Sequence, residues 1–182
     1  MFIKNERTME DYIQADGSFN KYIEDMYFLK NVKLLGRQVH IGDHNIIDLL
    51  YEGDGNGPDN DKSKCLVVVE LKLRALEMVD LAQIGRYIIG ARAYIFNNID
   101  EHDKDWKVYP LLVGTGLTED FAHFMNGSLH DDDLRVMLIK SDVIYEDVTN
   151  KLWAVEDWSG KVDPSFDEFV KGLKGNGEAE NG

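Results

Sequence analysis

The run Cys65-Leu66-Val67-Val68-Val69-Glu70-Leu71-Lys72-Leu73 constrains the fold more than any other part of this chain. It is short and rich in β-branched residues, which predicts a central strand covered on both faces rather than a core helix. Its far end carries two charges, Glu70 and Lys72. Side chains at i and i+2 of a strand share a face, so these two are expected to project together.

The flanking sequence supplies the partners that such a strand needs. Val32 to Ile41 roughly alternates apolar and polar residues, Gly42-Asp43-His44-Asn45 reads as a turn, and Ile46 to Tyr51 reads as the returning strand of a hairpin. Two helices are predicted ahead of it, over about Asn5 to Ala15 and about Phe19 to Leu29. In the second, Phe19, Tyr22, Ile23, Met26 and Tyr27 repeat at helical spacing, with Ser18 as the expected N-cap. Glu52 to Lys64 reads as a polar, mobile loop. A long helix is expected from Leu76 to Phe96, with Leu81, Ile84, Ile88, Ala91 and Ile95 on one stripe. A strand at Val108 to Val113, a helix at Glu119 to Met125 and a strand at Arg135 to Ile139 follow. A hairpin of Val143 to Tyr145 with Lys151 to Val155 and a short helix at Phe166 to Leu173 complete the pattern.

The order αβββαβ predicts an α/β domain with a central mixed sheet flanked by helices. A length of 182 residues fits one domain, drawn here as 1–174, with a motif-bearing core over about 10–115 and an acidic elaboration over about 116–174. The tail 175–182 has the composition of a disordered segment.

Charge and cysteine content narrow the function. The formal net charge is −14. Residues 1–96 carry 12 basic and 15 acidic side chains, whereas residues 97–182 carry 8 and 19. That argues against a protein that grips nucleic acid with its whole surface. The lone cysteine, Cys65, excludes an internal disulfide and a Cys-rich zinc module. No apolar run reaches the roughly 18 residues of a membrane span, and the N-terminus lacks the apolar core of a signal peptide. A cytoplasmic location without a membrane partner is the expectation.

Asp48 interrupts an otherwise apolar strand, and Glu70 and Lys72 end another. If the two strands are neighbours, three charges converge at one end of the sheet. Two nearby carboxylates repel, and burying either alone is costly. A divalent cation resolves both problems: two carboxylates, the backbone carbonyl of Leu71 and waters suit Mg²⁺. Lys72 could then orient or help deprotonate a water. On the next helix Gln83 and Tyr87 stand one turn apart on a shared face, within reach of a water or a phosphate oxygen. Arg37, Arg74, Arg86 and Arg92 are candidates for phosphate contacts. The plainer alternatives are a structural ion pair at the sheet edge and scattered solvated charges.

Asp48, then Glu70-Leu71-Lys72, then Gln83-Ile84-Gly85-Arg86-Tyr87 together resemble the PD-(D/E)XK nuclease superfamily, in particular its QxxxY-containing RecB-like and NucS-like endonucleases. Leu34-Leu35-Gly36-Arg37-Gln38-Val39 is similar to the strand preceding the metal-binding aspartate in NucS-like domains. The resemblance covers about Glu10 to Phe96. It implies a restriction-endonuclease-like core and a Mg²⁺ or Mn²⁺ ion on Asp48 and Glu70. It also implies a catalytic Lys72, Gln83 and Tyr87 in support, and a glutamate from the helices ahead, for which Glu10 and Glu24 are both candidates. The implied activity is hydrolysis of DNA to 5′-phosphate and 3′-hydroxyl ends in repair, defence or mobile-element biology, with RNA as the alternative substrate. A homodimer or protein partner is expected to supply DNA affinity. The rival reading is a non-catalytic acidic domain that binds a basic partner or imitates DNA.

Overall fold

The computed structural model describes residues 5–15, 17–42, 45–56, 63–98, 106–128, 134–139 and 145–147. These form an α/β fold with a mixed sheet flanked by helices, as the element order predicts. The expected strand at Lys151 to Val155, the helix at Phe166 to Leu173 and the tail lie outside the described residues. The chain divides into two compact units, one of Met1–Leu71 with Ala82–Leu111 and one of Lys72–Leu81 with Leu112–Gly182.

The first unit opens with helices α1 (Glu6–Ala15) and α2 (Ser18–Tyr27). Helix α1 buries Met9, Glu10 and Ile13 and packs on β3, while α2 buries Phe19, Ile23, Met26 and Tyr27 and packs on β1. Gly17 rather than Ser18 occupies the N-cap of α2, with no side-chain cap bond, and Ser18 is the first helical residue. At the other end Phe28 takes a left-handed backbone and its N–H bonds to the Glu24 carbonyl.

Strands β1 (Leu29–His40), β2 (Ile46–Gly55) and β3 (Lys64–Leu71) then form an antiparallel series, with β5 (Lys107–Gly114) next in the sheet. Seven of the eight residues of β3 are buried, as expected of a strand covered on both faces. Strand β2 runs four residues further than expected, into what reads as loop. Cross-strand pairing explains the difference: Lys33 neutralises Glu52 at 2.9 Å, and Asn31 and Lys64 both bond Asp54. Helix α3 (Met78–Asn98) brings the chain from β3 to β5. Gly90 lets it approach Ile41, just past β1, since a Cβ there would lie 2.7 Å from Ile41 Cδ1. The core is fixed by Tyr51 against Phe19, with ring centroids 5.8 Å apart, and by Tyr27 stacked on Tyr109 at 4.9 Å.

In the second unit β4 (Ala75–Leu76) pairs in parallel with β6 (Gly116–Leu117) ahead of α4 (Glu119–Ser128), and β7 (Arg135–Ile139) pairs antiparallel with β8 (Tyr145–Asp147). Leu76, expected to begin the long helix, is therefore strand, and the helix starts at Met78. Of the strand expected at Val143 to Tyr145, Tyr145 begins β8 and the other two residues lie outside the described residues. Among the described residues no helix is long and apolar enough to cross a membrane.

Candidate active site

Strand register assembles the carboxylates. Leu49–Val69 is the last pair between β2 and β3, and Asp48 and Glu70 are the next residues on the two strands. On the other side, Arg37 pairs with Leu49 and Val39 with Ile47, which sets Gln38 opposite Asp48. Directly opposed residues share a face of the sheet, with Cβ atoms about 5 Å apart. Gln38 and Asp48 therefore form a row across β1 and β2, and Glu70 follows the last paired residue of β3.

Both oxygens of Asp48 accept hydrogen bonds. Gln38 Nε2 donates to Oδ1 at 3.0 Å, and the backbone N–H of Leu71 donates to Oδ2 at 2.8 Å. Glu70 is 1% exposed. It makes other interactions, but its Oε2 atom is buried and accepts no hydrogen bond. A buried carboxyl oxygen that receives no hydrogen bond is one whose burial cost a cation would offset.

Glu10 reaches the same row from helix α1. It is 3% exposed and well supplied with donors. Arg37 donates from Nε and Nη2 to Oε2, both at 2.8 Å, and Gln38 Nε2 donates to Oε1 at 2.5 Å. Arg37 also meets Asp11 at 2.7 Å. These bonds, that to Glu10 foremost, hold the Arg37 guanidinium above its ordinary value. Successive strand side chains ordinarily point to opposite faces, yet Arg37 and Gln38 both reach Glu10. The backbone accounts for it: Gln38 has φ 48°, in the left-handed region. For a residue other than glycine that conformation costs about 1–2 kcal/mol.

Glu24 sits elsewhere, where its Oε1 accepts the Val32 N–H at 3.2 Å and ties α2 to β1. Gln83 donates to the Tyr87 hydroxyl at 2.6 Å, so these two form a bonded pair along α3, with Tyr87 buried. Gly85 between them faces open space.

The arginines have different situations. Arg37 is committed to Glu10 and Asp11. In the second unit Arg74 grips the fully buried Asp80 through two bonds, at 2.9 and 3.0 Å, while Asp80 also caps the start of α3 by accepting the Glu77 N–H at 2.8 Å. Arg86 and Arg92 are exposed on α3. Lys72 is half-buried immediately after β3, and its backbone N–H donates to the Val113 carbonyl at 2.8 Å.

Among the described residues no three His, Cys, Asp or Glu side chains converge as a metal cluster. What the donor set offers is a pair of hard carboxylates on adjacent strands, which fits Mg²⁺ or Mn²⁺ with several retained waters. Sequence reasoning did not single out Gln38. An exposed glutamine in an alternating strand carries no signal of its own, and its left-handed backbone is invisible in the pattern.

No protein-family model matches the chain, and no curated protein matches it. Solved structures do resemble it. An EndoMS–double-stranded DNA complex aligns over 77% of this chain and 46% of its own, at 21% identity and a TM-score of 0.49. A repair endonuclease from Pyrococcus abyssi aligns over 75% of this chain and 47% of its own, at 22% identity and a TM-score of 0.44. The small subunit of the heterodimeric restriction endonuclease R.BspD6I aligns over 90% and 84%, at 12% identity and a TM-score of 0.32. The chain thus spans about half the length of the first two, and these structural neighbours are repair and restriction endonucleases.

Proposed function

We propose that this chain is a Mg²⁺- or Mn²⁺-dependent nuclease that hydrolyses DNA phosphodiester bonds, of the QxxxY type within the PD-(D/E)XK superfamily. The observation that supports the reading is the hydrogen bond from the Leu71 N–H, between Glu70 and Lys72 in the chain, to Asp48 Oδ2 on the neighbouring strand at 2.8 Å. Asp48, Glu70 and the Leu71 carbonyl would hold the ion, which when bound would lower the pKa of a water and offset charge on the phosphate.

The protein groups divide the remaining work. The Lys72 ammonium donates hydrogen bonds that orient the attacking water toward phosphorus and oppose the charge that develops there. Gln83 gives one N–H to Tyr87, which fixes its amide and leaves a carbonyl oxygen and a second N–H for a water or phosphate oxygen. Breaking the P–O3′ bond leaves a 5′-phosphate and a 3′-hydroxyl. Of the four candidate arginines, Arg86 and Arg92 are exposed on α3 and would contact DNA phosphates. With a net charge of −14, a second copy or a protein partner would supply further phosphate contacts. The proposed setting is the cytoplasm.

The test is cleavage of linear, circular, single-stranded and branched DNA, with RNA alongside, in Mg²⁺ or Mn²⁺, comparing wild type with Lys72→Ala and Glu70→Ala. Cleavage by wild type that disappears in both variants is the expected result. No cleavage of any substrate, joined to no Mn²⁺ binding by calorimetry, would transfer the reading to an acidic domain that engages a basic protein partner.

A further inference from the structure

We infer that Gln38 is a positioning residue: its side-chain amide locks the Asp48 carboxylate to the buried Glu10–Arg37 pair and so presets Asp48 for its ligand. The inference rests on the nuclease reading for what Asp48 holds. Gln38 Nε2 lies within hydrogen-bond distance of Glu10 Oε1 and of Asp48 Oδ1. Carboxylates only accept, so the orientation of the amide is determined, with one N–H for each. Glu10 cannot yield, because Arg37 grips its other oxygen. Asp48 is held on its far side by the Leu71 N–H. Its carboxylate is therefore fixed at both oxygens, and each oxygen keeps a lone pair for a further partner.

The backbone points the same way. The pairs on either side, Arg37–Leu49 and Val39–Ile47, keep one register, so no inserted residue accounts for the left-handed Gln38 at φ 48°. Gln38 is exposed, so burial of an apolar side chain does not account for it either. What the conformation achieves is delivery of consecutive side chains, Arg37 and Gln38, to one carboxylate. Strain of this kind persists where the surroundings hold it.

Gln38→Gly separates strain from hydrogen bonding, since glycine accepts positive φ but has no amide. Gln38→Met keeps the length of the side chain and lacks the donor. Mn²⁺ affinity of the full chain, by electron paramagnetic resonance, is read beside the melting temperature. The expected result is a Gly variant that melts above the Met variant, because it sheds the strain, yet binds Mn²⁺ roughly tenfold or more weakly than wild type, the range typical of groups that orient metal ligands. The Met variant is expected to bind as weakly. A Gly variant with wild-type affinity overturns the inference, as does failure of both variants to fold, which would make Gln38 a structural residue. Wild type that neither binds Mn²⁺ nor cleaves nucleic acid overturns the nuclease reading and this inference with it, an outcome distinct from the other two.

Discussion

Leu71 donates its backbone N–H to Asp48 Oδ2 across 2.8 Å, just past Leu49–Val69, where the paired register of β2 and β3 stops. A side chain takes over where the backbone ladder leaves off. The same bond that satisfies the last N–H of β3 holds Asp48 beside Glu70, so a structural need and a candidate chemical one are met by one carboxylate.

Substitutions at Asp48 should separate these two roles. Asp48→Ala leaves the Leu71 N–H and the Gln38 amide without their acceptor and is expected to lose about 1–3 kcal/mol. Asp48→Asn keeps an oxygen for Leu71 but turns its NH2 toward the Gln38 donor, and is expected to lose less than the Ala variant, about 1 kcal/mol. Both remove the charge, so both should abolish Mn²⁺ binding and cleavage. Urea denaturation beside a Mn²⁺ titration checks this.

Glu10 and Arg37 should behave as a structural pair. Glu10 is almost fully buried, and Arg37 retains 31% side-chain exposure. Removing either partner alone is expected to cost about 3 kcal/mol, near the low end for breaking a buried pair because Arg37 stays partly solvated. In a double-mutant cycle of Glu10→Ala with Arg37→Ala the coupling is expected to be about 1–3 kcal/mol. An Arg37→Ala variant with wild-type stability and weakened DNA binding would instead make Arg37 a phosphate contact.

Two glycines of α3 should respond with opposite signs. Gly85→Ala enters open space in a helix interior and is expected to stabilise by about 1 kcal/mol. Gly90→Ala would set a Cβ 2.7 Å from Ile41 Cδ1 and 3.3 Å from its Cγ1, with Ile41 itself buried. Overpacking of that kind outweighs helix propensity, and a net loss of about 1–2 kcal/mol is expected. Thermal melts of the two variants decide it.

The hairpin should carry an acid-sensitive tie. Hydrogen bonds from Lys64 first and Asn31 second hold Asp54 below the usual 3.8. A carboxylate with a depressed value in the folded state contributes stability that is complete above the unfolded value and fades as pH falls through the folded one. The stability difference between wild type and Asp54→Asn should therefore be constant from neutral pH down to about pH 5. It should then shrink as pH drops below 3.8. Denaturation midpoints from pH 7 to pH 2 would show a difference that does not change if Asp54 is unpaired.

Much of the fold is legible in the residues because hydrophobic period is a local property. The Val-rich run reads as a doubly covered strand, and the alternation at Val32 to Ile41 followed by a Gly-Asp-His-Asn turn reads as a hairpin. Where the reading stopped short, at β2 beyond Tyr51, the polar residues Glu52 and Asp54 mimic a loop. They extend the strand only because Lys33, Asn31 and Lys64 lie across from them.

The sequence by itself determined which residue types could do chemistry and on which elements they ride: Asp48 and Glu70 on strands, Lys72 just beyond, Gln83 and Tyr87 a helical turn apart. Only the tertiary structure decided who faces whom. That Glu10 meets Asp48 through Gln38 while Glu24 ties down Val32 depends on how α1 and α2 dock on the sheet. That Arg37 serves Glu10 depends on one left-handed residue. Register and docking are set by packing between segments distant in the chain, and no local pattern records the outcome.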